Sequence, residues 1–113
     1  MAKTLTISDE TYKLIKSYLK PDELFDMSGL QDLVGKSFYF RTVTYHLTGR
    51  VIKVLGNFLV LEDAAWVADS GRFSNAINNG KLSEVEPVGN AVINISTVTD
   101  FFPWKHKLPL EQI

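Results

Sequence analysis

Residues Leu33 to Ala64 read LVGKSFYFRTVTYHLTGRVIKVLGNFLVLEDA, and this stretch decides the fold. From Ser37 to Tyr45 the residues are mostly aromatic or β-branched, types that suit a pleated, half-buried surface. Side chains alternate faces along a strand. Phe38, Phe40, Thr42 and Thr44 therefore share one face, and Tyr39, Arg41, Val43 and Tyr45 the other. Leu47 to Leu55 continues as a second alternating strand. Gly56-Asn57 then stands between two apolar runs. Glycine takes positive φ freely and asparagine tolerates it, so the pair predicts a two-residue hairpin turn. Phe58 to Leu61 returns as a third strand, closed by Glu62-Asp63. Gly49, inside the second strand, predicts a bend or a close backbone approach, as a curling sheet needs.

Working outward, the rest of the chain supplies two more predicted strands. Lys81 to Val88 is a mixed, edge-like fourth strand, Gly89-Asn90 a turn, and Ala91 to Val98 a fifth. The segment 65–80 between them departs from strand pattern. Asp69-Ser70-Gly71 signals a turn, a short helix follows through Phe73, Ala76 and Ile77, and Asn78-Asn79-Gly80 stops it. The aromatic run Phe101-Phe102-Pro103-Trp104 is too apolar to stay in water. It either folds back on the sheet or docks on another copy, and a subunit contact is the expectation.

Upstream, Lys3 to Ile7 alternates, and Ser8 caps a helix whose apolar positions are Tyr12, Leu14, Ile15, Tyr18 and Leu19. Pro21 ends it. Asp22 to Val34 reads as a short second helical turn, with Ser28 as cap and Leu30, Leu33 and Val34 turned inward. The predicted organisation is a strand–helix arm over residues 1–26 and a mainly β domain over 27–113. That domain is a five-stranded small barrel with a helical insertion at 65–80 and an aromatic closing segment.

Composition narrows the function. The chain has 113 residues, enough for one compact domain, and its net charge is −1. A strongly basic footprint for duplex DNA or RNA is missing. There is no cysteine, which excludes disulfides, thiol catalysis and cysteine-based zinc sites. No apolar run reaches the roughly 20 residues that span a bilayer, and no signal-peptide core opens the sequence. A cytoplasmic protein without a membrane partner is expected.

Catalytic motifs are also missing. No P-loop, nucleophile elbow or dinucleotide fingerprint occurs. His46 and His106 stand far apart, with no paired ligands at helical spacing, so neither metal nor cofactor is expected. His46 at a strand end is a hydrogen-bonding residue or a general base. The balance favours a protein that is not an enzyme.

The residue kinds in and around 65–80 suit a nucleotide instead. Trp66 and Phe73 offer stacking faces, Arg72 a planar fork for phosphate, and Asp69 and Asn75 polar edges. Arg41, Tyr45 and Arg50 on the first two strands complete the candidate site, with Arg41 and Arg72 as phosphate holders. The competing reading has Trp66 and Phe73 capping one end of the barrel and Asp69 pairing with Arg72.

Three resemblances extend this. Leu33, Gly35-Lys36, Gly49 and the run Gly56-Asn57-Phe58-Leu59-Val60-Leu61 ending in Asp63-Ala64 resemble the first motif of Sm-like proteins. The turn departs from that motif, with Gly56 rather than Asp ahead of Asn57. The resemblance implies an SH3-like barrel, a ring of copies and a nucleotide-type ligand, either short RNA or a small nucleotide. RTVTYHLTGRV, LEDAAWVADSGRF and WKHKLP resemble small phage and prophage proteins. That likeness implies a viral setting in which an oligomer acts as a sponge for host defence nucleotides, or a ligand-free ring or shell component of a particle. KTLTISDETYKLIKSYLK resembles the opening of ribbon-helix-helix repressors, which implies operator DNA as a third alternative.

Overall fold

The computed structural model describes residues 27–113. The expected strand–helix arm of residues 1–26, and the repressor-like alternative that rests on it, lie outside the described residues.

Five antiparallel strands form one sheet in the order β4-β3-β2-β1-β5. They are β1 (Ser37–Thr42), β2 (His46–Leu55), β3 (Phe58–Asp69), β4 (Glu84–Asn94) and β5 (Val98–Pro103). A seven-residue helix, α1 (Phe73–Asn79), joins β3 to β4, and a 3₁₀ turn at Ile95–Thr97 joins β4 to β5. The chain is therefore mainly β, as its alternation predicts.

The sheet curls around one apolar cluster to which every strand contributes. Phe38, Phe40, Leu47, Val51, Leu59, Leu61, Ala64 and Ile93 are buried in it, with Val98 and Phe101 packed alongside. Gly49 makes the curl possible. A Cβ there would lie 3.1 Å from Leu61 Cδ1, 3.2 Å from Leu61 Cβ and 3.4 Å from Ala64 Cβ. The β2–β3 register shifts between Thr48 and Arg50 and again between Val51 and Lys53, which is where β2 bends. Gly56 takes φ 57° in the β2–β3 turn, as the hairpin reading requires.

A second cluster sits on the opposite face. Tyr39, Val67, Trp104 and Leu108 are buried there, packed by Phe73, Ile77 and Leu82. Helix α1 and the segment after β5 thus cover the outer face of β1 and the end of β3. Gly80 ends α1 in the left-handed region at φ 72°, its N–H bonded to the Ala76 carbonyl. His106 Nε2 lies 2.7 Å from the carbonyl oxygen of Ile77 and secures the closing segment to that helix end.

Four expectations need correction. β3 does not stop at Asp63 but runs to Asp69. Asp63 takes φ 50° at a register shift between β3 and β4, so it marks a bulge, not an end. The insertion is consequently shorter than 65–80, since residues 65–69 belong to the strand. The predicted fourth and fifth strands are a single strand, β4, because Gly89 at φ 79° opens another bulge. The fifth strand is the aromatic stretch Val98–Pro103, which pairs with β1. Its rings are absorbed within the chain: Phe101 packs on the inner cluster and Trp104 is buried over Tyr39. Of the two fates expected for these rings, the structure shows folding back on the sheet. Finally, the turn before β1 is 3₁₀ (Leu30–Leu33); Leu33 is buried, Leu30 is exposed, and Ser28 does not cap it. Instead Asp32 accepts hydrogen bonds from the Ser28 N–H and hydroxyl, which hold its carboxyl below the usual range.

Candidate ligand-binding site

The β1–β2 connection is a tight turn fixed by one hydroxyl. Thr42 Oγ1 donates to the Tyr45 carbonyl at 2.7 Å and accepts from the Tyr45 N–H at 3.1 Å, while the Thr42 N–H bonds the same carbonyl at 2.9 Å. This aims the Tyr45 ring outward. It is 44% exposed and meets the 39% exposed Trp66 of β3 nearly edge-on, centroids 6.4 Å apart. Tyr45 also forms part of the wall of a cleft of about 470 Å³ between this turn and the β4–β5 connection. The remaining wall is Thr42, Val43, Thr44, Ser96, Thr97, Val98 and Thr99. Six of these eight residues carry a hydroxyl, and among the described residues no charged side chain lines the cleft.

The far wall is held by a polar cluster that the sequence reading missed. Asn94 Oδ1 accepts from the Ser96 N–H at 2.9 Å, and Thr97 Oγ1 donates to the Asn94 carbonyl at 2.7 Å. Asn57 Nδ2, from the hairpin turn, donates to Asn94 Oδ1 at 3.0 Å and to Ser96 Oγ at 2.5 Å. The Ile95 N–H closes the set on the Asn57 carbonyl at 3.0 Å. Asn-Ile-Ser-Thr after a strand is an Asx-turn signal that could have flagged it.

The eight residues selected from sequence fall into separate groups. Tyr45 and Trp66 meet as described. Arg41 and Phe73 also meet, but Arg41 is committed elsewhere. Its Nε and Nη2 bond Asp100 Oδ1 and Oδ2 at 2.6 and 2.5 Å. Its guanidinium carbon lies 4.9 Å from the Phe73 ring centre and 5.5 Å from that of Phe102. The bidentate pair raises the Arg41 pKa and holds the Asp100 carboxyl below its usual range. Arg50 bonds Glu62 at 2.7 Å and Asp63 at 3.2 Å. Both arginines would have to leave carboxylates to meet a phosphate. Arg72 is exposed at the start of α1 and forms no ion pair among the described residues. It does not pair with Asp69, whose Oδ1 instead accepts from the Gly71 N–H at 2.8 Å. Asn75 is exposed on the first turn of α1. Phe73 is half-buried, edge-on to Tyr39 and Phe102 at 5.8 and 5.4 Å.

His46 is not placed as a free base. Its Nδ1 lies 2.6 Å from the Tyr39 hydroxyl, beneath the second cluster. Burial, then the nearby Arg41 charge, lowers the imidazole pKa, and burial raises that of Tyr39. Both shifts favour a neutral pair in which Tyr39 donates to the ring nitrogen. Among the described residues, no three His, Asp or Glu side chains gather as a metal site, and no helix is long and apolar enough to cross a membrane.

No protein-family model matches the chain, and no curated protein does. Solved structures do. A chain of the NatC complex bound to CoA is similar over 71% of this chain and 90% of its own, with 16% identity and a TM-score of 0.50. A heptameric archaeal Sm protein is similar over 66% of this chain and 93% of its own, at 22% identity and TM-score 0.48. The Pyrococcus abyssii Sm protein in complex with a uridine heptamer covers 65% and 89%, at 20% identity and TM-score 0.44. At these identities a likeness concerns the fold alone.

Proposed function

We propose that this protein is a non-catalytic, self-assembling binder of a nucleotide-type ligand, with the Tyr45–Trp66 rim as its stacking site. The observation that supports it is a pair of exposed aromatic rings in contact, one of which, Tyr45, also forms part of the wall of a hydroxyl-bearing cleft. A cleft with hydroxyls in its wall beside an aromatic face suits a base and its ribose: the ring stacks, and Thr44 and Thr99, whose hydroxyls have no partner among the described residues, exchange hydrogen bonds with polar edges. Arg72 is the candidate arginine without a carboxylate among the described residues, and so the one of the three proposed to meet a phosphate. Asp69 and Asn75 flank it in sequence. The net charge of −1 favours a short or small ligand, because long-polymer affinity rests on many phosphate contacts.

Assembly follows from the sheet edges. Among the described residues, the strand order leaves β4 and β5 outermost, each with one side that no other strand pairs. Open edges invite pairing with another chain. Joining β4 of one copy to β5 of the next is a head-to-tail contact, which closes as a ring when the rotation allows. Exposed Val88 and Val92 on β4 add apolar surface to that contact. In the viral setting that the sequence resemblance implies, such an assembly would sequester a host nucleotide. A ligand-free ring component of a particle shares the same edges and lacks only the rim's function.

Tryptophan fluorescence tests the site. Titration with a short oligouridylate and, separately, a cyclic dinucleotide is expected to quench emission with one of the two. Base–aromatic stacking of about 1–3 kcal/mol predicts that Trp66→Ala weakens affinity roughly 5- to 150-fold. If neither probe binds at millimolar concentration, the binding reading fails. A strict monomer at micromolar concentration on sizing chromatography would remove the assembly.

A further inference from the structure

The outer edge of β4 is not open along its whole length. Val85 and Ile113 exchange backbone hydrogen bonds: the Ile113 N–H donates to the Val85 carbonyl at 3.0 Å, and the Val85 N–H to the Ile113 carbonyl at 3.3 Å. That reciprocal pair is one rung of an antiparallel ladder on the side of β4 away from β3. Two residues further along, Pro87 has the same orientation as Val85 and no N–H to give. The edge is thus divided. Its first part is taken by the closing segment, Pro87 is blank, and Val88 to Asn94 has no strand partner on that side among the described residues.

The segment that makes this rung is lightly held. Leu108 is buried at 6% exposure and anchors it in the second cluster. Beyond that anchor, Leu110 and Ile113 are 55% and 59% exposed. A cleft of about 410 Å³ opens between Gly80, Leu82 and the strap from Lys107 to Ile113. Among the described residues, few buried apolar contacts and two backbone bonds hold it, as in an element that opens locally at low cost.

We propose that residues 110–113 are a cap in cis on the first part of the β4 edge, which confines strand addition by a second copy to Val88–Asn94. The occupant of that stretch is the β5 edge of that second copy, the other outermost edge of the sheet among the described residues, 6 residues long. This rests on the proposed assembly and adds its regulation. A long open edge allows several registers and hence open-ended association. The Ile113 rung and Pro87 together shorten the available stretch and so reduce the number of registers. Release of the cap lengthens the edge and loosens that restriction.

The test compares the full chain with Ile113→Pro, which removes the donor of the rung, and with Leu110→Gly/Ile113→Pro, which also loosens the strap. Amide exchange reports whether the edge is released, and native mass spectrometry reports assembly. The expected result is faster exchange at Val85, by roughly tenfold or more, in at least the double variant. Alongside it, a single mass in the wild type gives way to a broader or heavier distribution. Unchanged exchange at Val85 in both variants would overturn the proposal, because Ile113 would then not cap the edge. Faster exchange with the wild-type mass distribution would overturn it as well, since the cap would not govern assembly. A monomeric wild type whose variants associate keeps the cap and removes instead the reading that the native protein assembles.

Discussion

Replacing Arg41 by alanine separates two roles for that side chain, and its size can be worked out from its contacts. The guanidinium makes two hydrogen bonds to Asp100 and lies over Phe73 and Phe102. Arg41 and Asp100 are 35% and 37% exposed, so solvent screens the pair and its worth is discounted to about 0.5–1 kcal/mol. The contact with the two rings, at this exposure, contributes about 0.5–1 kcal/mol more. Arg41→Ala should therefore cost about 1–2 kcal/mol. At roughly 4 °C or more per kcal/mol for a domain of this size, the melting temperature falls by about 4–10 °C. A double-mutant cycle with Asp100→Ala, measured by urea denaturation, should return a coupling of about 0.5–1 kcal/mol. The binding of whichever nucleotide probe the wild type accepts should change little. A coupling indistinguishable from zero, with affinity lost and stability kept, would refute this reasoning and restore Arg41 as a phosphate holder.

Further outcomes follow from the packing and the titrating groups. Gly49→Val should destabilise by about 1–3 kcal/mol in thermal melts, because even a Cβ there lies 3.1–3.4 Å from Leu61 and Ala64; equal stability would mean the bend in β2 is not tightly packed. Gly80→Ala should cost at least about 1 kcal/mol and loosen the closing segment, since the residue holds φ 72° and its Cβ would lie 2.7 Å from His106 Cγ; limited proteolysis between Trp104 and Leu110 reports the loosening. The His46 pKa is lowered from its ordinary 6.5, so the unfolded chain binds the extra proton and stability declines as pH falls through 6.5 toward the folded value. The Asp100 carboxyl is likewise lowered from 3.8, so its contribution is present above that pH and is lost as pH falls through the folded value. His46→Gln should remove the upper of these two declines in denaturation curves taken across pH; a decline that persists unchanged would assign it to another group.

The first three strands were legible because each carries its own evidence: alternation from Ser37, a glycine where two strands crowd, and Gly56-Asn57 between apolar runs. The end of the third strand and the division of the fourth were misread for one physical reason. Asp63 and Gly89 both take positive φ, and in sequence such residues read as turns. Whether a positive φ reverses the chain or merely bulges it depends on the neighbouring strand, which local pattern does not contain. The arginines pose the same difficulty at longer range. Asp100, which holds Arg41, is 59 residues away, and nothing in RTVTYH announces it. Arg50 pairs with Glu62 only because the hairpin register brings them opposite each other. Tyr45 and Trp66 were chosen for their ring faces, and the fold does bring them together. Asn57 passed as a turn residue alone, although its amide also ties the turn to Asn94 and Ser96.

β1 is sandwiched. Phe38 and Phe40 point into the inner cluster while Tyr39, between them, belongs to the outer one. A slip of β1 by one residue would drive the phenol with its hydroxyl into an all-hydrocarbon interior and push two phenyl rings out against His46 and Trp104. Neither layer can therefore rearrange without dragging the other along through this shared strand. Helix α1 and the stretch from Trp104 to Leu108 should melt together with the sheet, in a single transition, rather than peel away from it like ornaments.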